Sequence, residues 1–344
     1  MHKVLLVLGI IVLVISCTPV ATSHNFTSVQ IETVFKDSVS IRAITFLDET
    51  TLAFAGSNGI YGSVDLATHT IRTNRQTHDS ILPEFRAVTQ TKTDFFMLAA
   101  AHPALLYKTG AKGEMELVYR EEGEGVFYDA MKFWNNREGI AIGDSTDGCL
   151  SVLITRDGGN SWHKIPCSDL PRGIDGEGAF AASNTNIEIM GDSTWVATTE
   201  SRIYFSPDKG ETWQIQSVPM HYKKPTQGIY SLDFYNALLG IAFGGDYTDP
   251  ENPGKNKALT TDGGASWKLI ADGTPPGYKS CVQFIPNSGG KDVVAVGFTG
   301  ITYSKDSGTS WKTMSDQGFY TILFLNDSTA YAAGKHRISR LLFK

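Results

Sequence analysis

Charge and cysteine are both scarce in this 344-residue chain. Only 19% of residues are charged, and the 30 basic and 36 acidic side chains are scattered, giving a net charge of −6. No basic face is available to neutralise a phosphate backbone, so no nucleic-acid partner is expected. Beyond Cys17 there are three cysteines, Cys149, Cys167 and Cys281. At most one internal disulfide can form, the sequence leaves open which two would pair, and no disulfide framework can replace a large core. None of the cysteines has metal-site spacing, and the eight histidines form no His-x-x-x-His or His-Glu-x-x-His cluster, so no metal or cofactor is expected. The apolar run at 4–15 is too short to span a bilayer.

What is present in abundance is a repeated turn. Thr-Arg-Asp-Gly-Gly-Asn-Ser-Trp at 155–162 is followed by Ser-Pro-Asp-Lys-Gly-Glu-Thr-Trp at 206–213, Thr-Thr-Asp-Gly-Gly-Ala-Ser-Trp at 260–267 and Ser-Lys-Asp-Ser-Gly-Thr-Ser-Trp at 304–311. Each copy follows a short β-type run and ends on a Trp that would open the next strand. The glycine suits a positive-φ corner, the Asp can accept turn N–H groups, and the Trp supplies a large apolar plug. These octapeptides resemble the Asp-box, or BNR repeat, of sialidase-like and related β-propellers. The resemblance implies a structural role for Asp157, Trp162, Asp208, Trp213, Asp262, Trp267, Asp306 and Trp311.

Successive aspartates are 51, 54 and 44 residues apart, and a period of that size with several strands per unit is a blade signature. Working back from each turn gives blades near 40–77, 84–121, 126–166, 178–217, 228–271 and 279–315. The stretch 318–344 supplies three further strands, and 28–35 alternates as a strand that could complete them. The expectation is therefore an all-β, seven-bladed propeller over 28–344, its last blade completed by the N-terminal strand. The insertion 246–255 and the Gly- and Asp-rich link 168–178 are expected to be loops, where binding residues concentrate.

The N-terminus reads as a secretory signal: a basic start, about a dozen apolar residues and a small residue before Cys17. Val14-Ile-Ser-Cys17 resembles a bacterial lipobox, which implies a leader over 1–17, lipid on Cys17, a tether over 18–27 and a membrane-anchored place in the cell envelope. An ordinary cleaved signal peptide is the alternative.

The inner strand of each blade would line the central channel. Those strands place Arg42, Arg86 and Asp129 at matching positions in three adjacent blades. Converging guanidinium groups can grip a carboxylate or phosphate; the alternative is an Arg42/Asp129/Arg86 ion network closing the channel. Asp144, Glu177, Asp246 and Tyr247 are further candidates for the channel mouth.

Arg42, Phe85-Arg86, Phe127-Tyr-Asp-Ala-Met131 with Gly143-Asp144, Gly176-Glu-Gly-Ala-Phe-Ala-Ala-Ser183 and Gly244-Gly-Asp-Tyr247 together resemble a bacterial envelope family related to the photosystem II stability and assembly factors. That resemblance implies a non-catalytic binding or assembly scaffold, with an envelope protein or an anionic or glycan ligand as partner. Some members carry the labels oxidoreductase or glycosyl hydrolase. Gly176-Glu-Gly keeps only two glycines of a dinucleotide fingerprint, with no strand–helix crossover around it. A glycoside hydrolase, sialidase-like or other, is the competing class. It would need two carboxylates flanking a bond, drawn from Asp129, Asp144, Glu177 and Asp246. Against a sialidase, the chain has Ser40-Ile-Arg42-Ala where an Arg-Ile-Pro motif is usual.

Overall fold

The computed structural model describes residues 24–344. The leader, the expected lipid site at Cys17 and most of the tether lie outside the described residues. Within them, apart from two short 3-10 turns, every regular element is a strand. No helix there is long and apolar enough to cross a membrane.

The strands form antiparallel sheets arranged around a channel. The second strand of a sheet is packed on both faces by neighbouring sheets, so it reads as a continuous apolar or small-residue run. Phe95–Ala99 and Val293–Gly297 are buried at every position, whereas the outer strand Met115–Glu121 has no buried position. The core lies between successive sheets. Phe96 and Leu98 meet Met131, Ala141 and Trp162 across one interface, and Trp195 meets Phe234 and Trp267 across another.

The sheets number six, which corrects the expected seven. Five have four strands each, spanning 85–121, 128–164, 187–217, 227–269 and 281–315; they are the second to sixth sheets in chain order. The first has six strands, because two expected breaks do not interrupt the backbone. Val29–Asp48 runs as one 20-residue strand, pairing with Thr329–Phe343 through its first half and with Thr51–Gly56 through its second. Thr329–Phe343 likewise merges two expected strands and also pairs with Thr321–Phe324. The expected closing strand is therefore no separate outer strand of a last blade: it lies in the interior of the six-stranded sheet, and no seventh sheet exists among the described residues.

The four repeated turns share one hydrogen-bond network. In the first, the Thr155 hydroxyl donates to Asp157 at 2.9 Å and accepts the Gly159 N–H at 2.9 Å. Asp157 also accepts the N–H and hydroxyl of Ser161, at 3.0 and 2.7 Å. The same bonds recur around Asp208, Asp262 and Asp306. Both hydroxyl positions of the pattern thus have a role. The residue after each Asp is left-handed too, including Lys209 (φ 57°) and Ser307 (φ 57°). The following glycine lies against the preceding sheet: a Cβ on Gly159 would stand 2.3 Å from Phe96, and one on Gly308 would stand 2.7 Å from Ile270.

The tether expected to end at residue 27 is packed over its last residues. Phe26 is buried beside Tyr303 and Phe343, and His24 Nδ1 lies 2.9 Å from the Asp292 carboxylate.

Candidate binding site at one mouth of the channel

At one end of the channel, residues of the inner strands and of the loops beside them line a cavity of about 410 Å³. Arg42 comes from the first sheet and Arg86 from the second. Phe180 comes from the link before the fourth sheet, Tyr230 from the fifth, Tyr278 from just before the sixth, and Tyr320 from just before the last inner strand. Tyr247 and Phe298 stand on the rim, 46% and 45% exposed.

The local sequence explains these placements. In Gly244-Gly-Asp-Tyr247, a Cβ on Gly244 would stand 1.9 Å from the Gly228 carbonyl, and one on Gly245 (φ 118°) would stand 3.0 Å from Tyr278 Cα. Only glycine permits either approach. Asp246 then accepts the N–H and hydroxyl of Thr248, at 2.9 and 2.6 Å, turning the chain so that Tyr247 stands over the mouth.

The link 168–178 is an ordered loop. Cys149 and Cys167 form the single possible disulfide, with a Cα–Cα distance of 5.6 Å, and Cys281 is free and buried. Glu177, 1% exposed, anchors the other end of the link: it accepts Arg202 Nε at 3.0 Å, the Thr198 hydroxyl at 2.7 Å, the Tyr204 hydroxyl at 3.0 Å and the Ile174 N–H at 3.0 Å. Burial raises its pKa, but the Arg202 pair and these donors outweigh that and hold the carboxyl below its ordinary value. Asp144 accepts the Ala179 N–H at 3.0 Å and fits against Gly178, where a Cβ would meet it at 2.0 Å. Phe180, delivered by this link, stacks on Tyr230 with ring centroids 3.6 Å apart.

Among the expected mouth residues, the structure brings Arg42, Arg86 and Tyr247 to the cavity wall. Asp129, Asp144, Glu177 and Asp246 do not line it. The Arg42/Asp129/Arg86 ion network does not form: neither arginine has an Asp129 oxygen within 4.0 Å. Asp129 is fully buried, and neither oxygen has a hydrogen-bond partner of good geometry. Burial, then Asp144, drives its pKa well up, against weaker opposition from Arg86 and the Ala181 N–H. Asp144 is also raised, by burial, against its bond to Ala179. Asp246 is held low: burial opposes, but Thr248, Thr226 and Lys224 prevail.

Arg42 is half-buried, with its guanidinium carbon 4.1 Å above the Tyr320 ring and Nη1 donating to the Ala182 carbonyl at 3.4 Å. Among the described residues no carboxylate lies within 4.0 Å of it, and its Nε has no partner. Burial, then the neighbouring Arg86 charge, lowers its pKa. Arg86 has one carboxylate contact, Glu84 at 3.5 Å. The mouth therefore holds two adjacent cations, incompletely neutralised, among aromatic rings. Tyr278 and Phe298 were not singled out from the sequence. Phe298 occupies the tip of an inner hairpin beside Gly297, and an aromatic at that place is the signal that could have found it.

The opposite end of the channel is a smaller polar cavity of about 230 Å³. Lys132 pairs with Glu188 there, and Asp233 accepts the Phe284 N–H at 2.6 Å. Those groups join neighbouring sheets.

No family model and no curated protein matches the sequence. Solved structures do match in shape. YCF48 bound to D1 peptide is 13% identical at a TM-score of 0.64, covering 94% of this chain and 99% of that chain. U3-55K is 11% identical at 0.63, covering 91% and 98%, and the WD40 β-propeller domain of Doa1 is 10% identical at 0.62, covering 92% and 97%. At these identities the likeness speaks for the fold alone, and with the sheet arrangement it establishes the chain as an all-β propeller.

Proposed function

We propose that this protein is a non-catalytic binding or assembly scaffold of the bacterial cell envelope that takes an anionic segment of a protein partner at the Arg42–Arg86 mouth. One observation carries the reading: two adjacent, partly buried guanidinium groups face a cavity with, among the described residues, no carboxylate against Arg42. A cation desolvated in this way gains most from an incoming carboxylate, which Arg can hold through two parallel N–H bonds. The similarity to YCF48, solved with a D1 peptide, is compatible with a peptide occupant. We read the four repeated turns as Asp-boxes with a structural role, and Cys17 as the lipid attachment point of an exported protein.

The double change Arg42→Ala/Arg86→Ala tests the reading. It should abolish capture of the envelope partner while the melting temperature stays near that of the wild type. Undiminished capture would refute it. Labelled fatty acid should enter the wild type but not Cys17→Ala, and equal labelling would remove the anchor. The glycoside-hydrolase alternative gains nothing from position, because none of its four candidate carboxylates lines the cavity. Turnover of chromogenic glycosides, sialosides included, that disappears on replacing Asp129, Asp144, Glu177 or Asp246 would nevertheless displace our proposal.

A further inference from the structure

A second cavity, of about 600 Å³, adjoins the mouth and shares Phe298 and Tyr320 with it. Its far wall is basic: Lys36, Lys335 and Arg337 line it. A backbone irregularity produces this wall. The register between Val29–Asp48 and Thr329–Phe343 slips between Lys36 and Ser40, and His336 takes φ 68°, leaving Lys335 and His336 exposed while Arg337 folds inward. The Arg337 guanidinium carbon lies 4.4 Å over the Phe319 ring, and Nη2 donates to the Gly318 carbonyl at 2.9 Å.

Among the described residues, Lys36, Arg42, Lys335 and Arg337 have no carboxylate within 4.0 Å, so positive charge is left uncompensated along both cavities. Asp37 and Asp316 are near in sequence, yet neither pairs with this wall. Two cationic stations are thus joined by an apolar saddle of Phe298 and Tyr320.

We propose that the two cavities form one groove for an extended acidic polypeptide segment. One acidic group sits at Arg42 and Arg86, a second at Lys36, Lys335 and Arg337, and an apolar side chain rests on the saddle between them. This rests on the binding reading above and extends it to the partner's chemistry. A polypeptide fits better than an acidic glycan because, of the rings lining the two cavities, only Tyr247 and Phe298 keep much exposure, at the rim, while the deeper ring faces that would stack on sugars are covered. Arg42 caps Tyr320, Arg337 caps Phe319, and Phe180 and Tyr230 cover each other. Charged stations separated by an apolar saddle match side chains alternating along an extended strand.

Fluorescence anisotropy of the full chain with two labelled synthetic peptides tests the inference. The short one is Glu-Glu alone; the long one has two Glu-Glu pairs flanking a Phe-Leu-Phe spacer. The long peptide should bind at least roughly ten-fold more tightly, a difference of one well-made charged contact. Lys36→Ala/Lys335→Ala, which removes two exposed side chains, should shrink that advantage. Equal affinity for the two peptides, an advantage undiminished by the lysine changes, or no binding of the long peptide at about 1 mM would each overturn the groove. If Arg42→Ala/Arg86→Ala left both peptides unaffected, the mouth itself would be refuted. A polysialic acid probe that binds through the lysines where the long peptide does not would reassign the groove to glycans.

Discussion

Arg202 and Glu177 form a partly buried pair that holds the link carrying Phe180 to the channel mouth. The Glu177 side chain has no solvent exposure and the Arg202 side chain 19%. Breaking such a pair leaves one charge unpaired, which typically costs 3–5 kcal/mol. With Arg202 partly solvated, Arg202→Ala should cost about 3 kcal/mol and lower Tm by roughly 5 °C or more. A Tm within about 2 °C of the wild type would show that the link is held by something else.

The Cys149–Cys167 bridge anchors the other end of the same link. It closes a loop with a sequence separation of 18, for which chain entropy gives about 3 kcal/mol. Cys167→Ser should therefore lower Tm under oxidising conditions, and adding reductant should move the wild type towards the variant. The buried Cys281 should stay unlabelled by a thiol reagent until the protein unfolds. Labelling of Cys281 in the native protein would contradict the packing around it.

Two neighbouring glycines should respond differently to one methyl group. Gly158 and Gly159 both have φ 78°, but a Cβ on Gly158 would meet only the Asn136 carbonyl, at 3.2 Å, while one on Gly159 would stand 2.3 Å from the Phe96 ring. Gly158→Ala should cost about 1 kcal/mol from backbone strain. Gly159→Ala adds a clash with a buried ring and should cost roughly 2–4 kcal/mol. Urea melts of the two variants measure this directly, and equal costs would show that the turn does not press on the second sheet.

Acid should release the turns. Asp157, Asp208 and Asp306 are held below the ordinary carboxylate range, and Asp262, bonded first by the Ser266 hydroxyl and then by its N–H, is brought down to about 2. A depressed folded pKa means that the stabilisation is complete above the unfolded value, about 4, and is lost as pH falls towards 2. The stability gap between wild type and Asp262→Asn should be constant from pH 7 to pH 5 and close between about pH 4 and pH 2. A gap already closing above pH 5 would assign the titration to another group.

The turns were legible because their chemistry is local: Asp208 bonds to Ser206 and Thr212 within one octapeptide, so residue identity alone records the geometry. Arg42 and Arg86 could be read because each keeps its place on an inner strand, Arg86 near the start of Phe85–Gln90 and Arg42 just past the point where Val29–Asp48 changes partner. The sheet count was not. Asp37 and Ser38 read as a break between strands, yet the backbone continues through them as a bulge, and alternation carries no mark of that difference. Lys335 and Arg337 were missed for the same reason, since a slipped register decides which side chains leave the sheet. Asp129 was placed on the channel wall by its strand position, but full burial beside Asp144 removes it from the cavity.

The six-stranded sheet sets a timetable for folding. Val29 faces Phe343 across it, so roughly three hundred residues must be placed before that pairing can form, whereas every pairing in the other five sheets is within a local hairpin. Loop-closure entropy makes the distant pairing about 3 kcal/mol harder to initiate than a fifteen-residue hairpin. The five local sheets should assemble early and the shared sheet last. Until Thr329–Phe343 has been made, the Val29–Asp48 strand keeps an unpaired row of N–H and C=O groups, and throughout that interval the unfinished chain is most open to sticking to another copy of itself.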